Sequence, residues 1–102
     1  MEKTRLILTS ELVLARTDRP LRFDFQVKLQ QAAGAIIRQA MDELRLVVGP
    51  LSESARDQLD VVVGRPIPEA DAIPLVRAGD LVLLLVDDGV NVRWILTSVH
   101  SL

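Results

Sequence analysis

The stretch LVLLLVDDGVNVRWIL, residues 81–96, decides the fold. Asp88-Gly89 sits between two apolar runs, and a two-residue type I′ turn needs positive φ at both central positions, which Asp-Gly tolerates. With Asp88 and Gly89 central, Asp87 faces Val90, Leu85 faces Val92 and Leu83 faces Trp94. Side chains alternate between the two faces of a strand. Leu81, Leu83, Leu85, Val92, Trp94 and Leu96 then share one wholly apolar face, the expected core side. The other face carries Val82, Leu84, Val86, Asn91, Arg93 and Ile95. A water-facing back of an antiparallel sheet turns polar at alternate positions, and this one does not. It needs a cover: a helix, the proline-rich loop before it, or another chain. Val82, Leu84, Val86, Arg93 and Ile95 are therefore the candidate interface.

Working outward, LRFDFQVKL (residues 21–29) alternates cleanly, with Leu21, Phe23, Phe25, Val27 and Leu29 on a core side and Arg22, Asp24, Gln26 and Lys28 on a wet back. TRLILTSELVLAR (4–16) reads as a first strand. TDRP (17–20) is turn-like, since Asp18 can bond its own backbone and Pro20 fixes φ. The first two strands are expected to form an antiparallel hairpin. The period then becomes helical through residues 30–48, with Ala33, Ile36, Ile37, Ala40, Met41, Leu44, Val47 and Val48 as the apolar stripe. Gly49-Pro50 ends that helix. Gly34 inside it points to close packing on the sheet. Ser52 is placed to cap a second, short helix beginning at Glu53. Val61, Val62 and Val63 read as a short strand or an apolar plug. Residues 64–74 hold three prolines and form a loop. Residues 74–79 are expected to form one helical turn. The fold class is α+β: two layers, an antiparallel sheet of four or five strands, one long and one short helix, in the order ββαα(β)ββ.

The 102 residues make one domain, 1–102, by length. The mean hydropathy of +0.28 is high for a small chain with much unavoidable surface, which favours an oligomer or a bound partner. Cysteine is absent, so disulfides, thiolate nucleophiles and cysteine metal sites are excluded, as in a reducing compartment. Neither a secretory signal nor a membrane-length apolar run is present in the sequence. The expectation is a cytoplasmic protein. A net charge of −2 disfavours a dedicated nucleic-acid binder. The first half is the more basic, and Arg16, Arg19 and Arg22 with Lys28 would carry any such contact.

Chemistry is scarce. Asp87-Asp88 is an acidic pair, but DDGVNVRWILTS lacks the alternating oxygen ligands and closing glutamate of a calcium loop. His100 is the one histidine, with no second histidine and no nucleophile motif to complete a triad or a zinc site. Glycine-rich phosphate cradles are missing. No cofactor, metal or catalytic residue is indicated. If the chain binds a small molecule or an anion, Asp87, Asp88, Arg93 and His100 are the polar groups to supply it, in a pocket between subunits. The sequence therefore points first to a non-catalytic interaction or assembly domain, a homo-oligomer and most simply a dimer, or one docked on a protein partner.

Overall fold

The structure, a computed structural model, describes residues 4–10, 20–70 and 74–102. It is α+β, with strands β1 (Leu6–Thr9), β2 (Leu21–Lys28), β3 (Leu46–Val48), β4 (Leu81–Asp87) and β5 (Val92–Ser101) and helices α1 (Gln30–Asp42) and α2 (Glu53–Val63). The five strands form one sheet in the order β2-β5-β4-β1-β3. β4 pairs antiparallel with β5, and β5 with β2, while β1 runs parallel to both β3 and β4. The sheet is thus mixed rather than wholly antiparallel. The element order is ββαβαββ, with the short extra strand before α2 instead of after it.

The hairpin of β1 with β2 does not form. Leu6, Ile7 and Leu8 are each almost wholly buried, between β3 and β4. Such a run, apolar at consecutive positions, is what a strand covered on both faces requires. The alternating β2 goes to the sheet edge beside β5. The turn expected at residues 17–19, and the later part of the expected first strand, residues 11–16, lie outside the described residues.

α1 is shorter than its apolar stripe. It ends at Asp42, with Glu43 as C-cap, and Leu44 reverses the chain at φ 57°. Leu44 is 93% exposed, and Val47 and Val48 belong to β3 rather than to the helix. The sequence Leu46-Val47-Val48 fits both periods over so few residues. The backbone bond from Leu6 N–H to Arg45 C=O (3.1 Å) places it on the sheet. α2 starts as expected: Ser52 Oγ accepts from Ala55 N–H at 3.2 Å. It runs further than expected. Val61, Val62 and Val63 are its last turn, not a strand, because Ala55, Leu59 and Val63 line one buried face at helical spacing. Gly64, at φ 72°, closes it.

Both helices cover the same face of the sheet. Ala33, Ile37 and Ala40 of α1 and Ala55, Leu59 and Val63 of α2 pack with Leu6, Leu8, Leu83, Leu85, Val92 and Trp94. Gly34 serves the contact between the helices rather than one with the sheet: a Cβ there would lie 2.8 Å from Val62 Cγ1. Residues 74–79 form no helical turn. Instead Asp80, 6% exposed, accepts from Arg5 Nε (3.1 Å), Arg5 NH2 (2.7 Å) and Arg77 N–H (2.8 Å). This clasp holds the segment over the other face, where Val76 packs with Ile7, Val82 and Val99.

Candidate functional site

The hairpin faces are as the sequence implied, but the pairing is not. Leu85 faces Trp94, Leu83 faces Leu96 and Asp87 faces Val92. The connection is therefore four residues, Asp88 to Asn91, instead of two. Asp88 builds it. Its Oδ1 accepts from Val90 N–H (3.0 Å) and Asn91 N–H (2.8 Å), and its N–H donates to Asn91 C=O (3.1 Å). Asp87 Oδ1 accepts from Gly89 N–H at 2.8 Å. Only Gly89 takes a positive φ there, 90°, so the turn is not type I′. The bonds from Asn91 and Val90 hold the Asp88 carboxyl below its ordinary pKa. Every partner of β4 has moved by two residues, an even number, so each side chain keeps its face.

Val82, Leu84, Val86, Arg93 and Ile95 accordingly lie together on the face opposite the helices. Val82 is buried beneath Val76; Leu84, Val86 and Ile95 are half-buried; Arg93 is exposed, its Nε 3.9 Å from Asp88 Oδ2. The register extends this face across the sheet. Thr9, Leu84, Ile95 and Val27 form one row, and Ile7, Val82, Thr97 and Phe25 the next. β2 thus presents its apolar side to this open face, not to the core. Phe25 is 60% exposed, Val27 72% and Leu29 82%. That corrects the expected core side of β2. As an edge strand it lies far from the helices, and α1 and α2 make no substantial packing with it. Phe23 remains half-buried and stacks on Phe25, with ring centres 6.4 Å apart. In the second row the Thr97 hydroxyl is buried with no hydrogen-bond partner among the described residues.

Phe25, Val27 and Leu29, like Leu44 after α1, are surface residues that sequence reasoning turned inward. The signal was available: the hairpin and β2 each carry an apolar face, and one helical layer covers a single side of a sheet.

The polar candidates are not brought together as one site. Asp87, Asp88 and Arg93 stand at the hairpin tip, while His100 lies near the far end of β5, roughly 23 Å away at about 3.3 Å per residue. His100 Nε2 approaches Asp24 Oδ2 at 3.1 Å, and Arg22 NH2 approaches the same oxygen at 3.6 Å. Of the basic candidates, Arg22 and Lys28 flank Asp24 on β2, and Arg16 and Arg19 fall outside the described residues. Among the described residues no group of three or more histidine or acidic side chains is placed to hold a metal. No helix among them is long and apolar enough to cross a membrane. A cavity of about 530 Å³ opens between the ends of β2 and β5 and the clasped segment, lined by Pro20, Leu21, Leu75, Val76, Arg77 and Ser101 among others. Its residues carried no motif.

No family model matches the chain, and no curated protein sequence does. A solved structure does match in shape: B116 of Sulfolobus turreted icosahedral virus (STIV). The match has a TM-score of 0.77 at 9% identity and covers 92% of this chain and 98% of that one. At that identity the likeness shows a shared fold, a helix-covered five-stranded sheet, and nothing of activity.

Proposed function

We propose that this chain is a non-catalytic assembly domain of the cytoplasm that acts by self-association through the open face of its sheet. What supports the reading is one observation: Phe25 and Val27, 60% and 72% exposed, continue the half-covered Leu84 and Ile95 into one apolar surface. Contiguous surfaces of this kind on small proteins mark interaction sites. Arg93 at its rim supplies a side-chain type enriched in interfaces. A second copy is the occupant proposed, because the same surface is then satisfied on both partners by one two-fold contact.

The test is absolute mass by light scattering over a wide concentration range. A mass of at least a dimer, twice 11.3 kDa, is expected. Leu84→Asp places a charge in the middle of the contact and is expected to lower the mass while the chain stays folded. A wild-type chain that is monomeric throughout, or a Leu84→Asp variant of unchanged mass, overturns the reading.

A second reading, small-molecule binding, is favoured by the cavity of about 530 Å³, a volume in the range of ligand pockets. A rise in melting temperature with a member of a metabolite panel supports it, and a flat panel removes it.

A further inference from the structure

β2 forms one edge of the sheet, and among the described residues no strand lies beyond it. Its outward N–H and C=O groups are a template for another strand, and edges are ordinarily blunted by shortness, proline or central charges. β2 has eight residues and no proline; Arg22 and Lys28 stand near its ends, and its one central charge, Asp24, lies beside Arg22 and His100 of the same chain. Two of its apolar residues, Phe25 and Val27, are also exposed. We propose that β2 pairs antiparallel with the β2 of a second copy about a two-fold axis through Gln26, joining two five-stranded sheets into one of ten. This goes beyond the self-association reading: it is a second contact with another copy, along the β2 edge and separate from the open face around Leu84, and Leu84→Asp leaves it intact.

The residues select the register. With the helices of both copies on one side, side chains keep their faces only if the axis passes through a residue position. An axis through Asp24 opposes two carboxylates, and one through Phe25 opposes Arg22 to Lys28. Like charges directly across a ladder destabilise it. An axis through Phe23 opposes Arg22 to Asp24 but pairs only the first part of the strand and leaves Val27 and Leu29 bare. An axis through Val27 opposes no ion pair. Through Gln26, Asp24 opposes Lys28, Phe25 opposes Val27 and Phe23 opposes Leu29, each twice. Leu29 qualifies because its backbone is still extended, at φ −68° and ψ 149°. This register uses the three most exposed apolar positions of the edge and matches its charges. The open faces of the two sheets then run on as one surface.

The absence of cysteine makes the test direct. Directly opposed residues of an antiparallel pair have Cα atoms about 4.5–5.5 Å apart, within the span a disulfide bridges, about 4.4–6.8 Å. Gln26→Cys is expected to oxidise to a covalent dimer. Phe25→Cys meets its own copy only diagonally and Asp24→Cys more distantly, and both are expected to stay largely uncrosslinked. Asp24→Lys is expected to weaken the dimer at least tenfold, and Asp24→Lys with Lys28→Asp to restore it. Faster crosslinking through Phe25→Cys or Asp24→Cys overturns the register. An uncrosslinked Gln26→Cys in a chain that is dimeric by light scattering overturns edge pairing but leaves self-association through stacked faces. A chain monomeric at every concentration overturns both.

Discussion

Asp88 shows how much one side chain decides. Its carboxylate takes two backbone N–H groups, so the tip of the hairpin is organised around a charge rather than around the Asp-Gly dihedral angles. The sequence made the turn legible but not its length, because an aspartate bonded to its own loop competes with the two-residue turn. The lowered pKa carries a pH consequence. A carboxyl whose native pKa lies below the unfolded one stabilises the fold fully above the ordinary value of 3.8, and that contribution is lost as pH falls through the lowered native value. In a pH titration by NMR, the amide signals of Val90 and Asn91 are expected to move with a midpoint below 3.8. A midpoint at or above it contradicts the role assigned to those bonds.

At the scale of elements, periodicity located most of the secondary structure and misjudged its joints. The capped start of α2 was legible, since Ser52 and Glu53 are local signals. The end of α1 was not. Leu46, Val47 and Val48 continue a helical stripe on paper, and only the parallel pairing with β1 draws them into the sheet. The valines at 61–63 mislead in the opposite sense, β-branched residues that packing places in a helix. Gly34 is the test of that packing. Alanine there gains about 1 kcal/mol in helix propensity and loses about 1–3 kcal/mol to overpacking, since Val62 is stiff at χ1 and its Cγ1 lies 2.8 Å from the new Cβ. Gly34→Ala is expected to destabilise by about 1 kcal/mol net in denaturant unfolding. In a Val62→Ala background it should become neutral or stabilising.

For the whole molecule, the layers were legible and the strand order was not. Alternation tells which side chains share a face, so the candidate interface residues 82, 84, 86, 93 and 95 came out together. It does not tell which strands are neighbours. That is why β2 was joined to β1 and why Phe25 and Val27 were turned inward. Among the described residues, two layers also leave one sheet face with only the clasped segment as cover. If that face or its edge joins two copies, stability depends on concentration. Each tenfold rise in protein concentration then adds about 1.4 kcal/mol, a melting shift of about 4 °C for a dimer of this size. A melting temperature independent of concentration would contradict self-association.

The place of β1 in the sheet also sets a timetable. Leu6 leaves the ribosome 75 positions ahead of Leu81, its partner in the central strand β4. Until then the nascent chain carries an apolar strand whose edge toward β4 is bare, the condition in which young polypeptides stick to one another. Contacts so distant along the chain also slow the search for the native state. Growth of the polypeptide, more than any single side chain, thus governs when this fold becomes safe, and early engagement by chaperones is the expected cost of setting neighbouring strands so far apart along the chain.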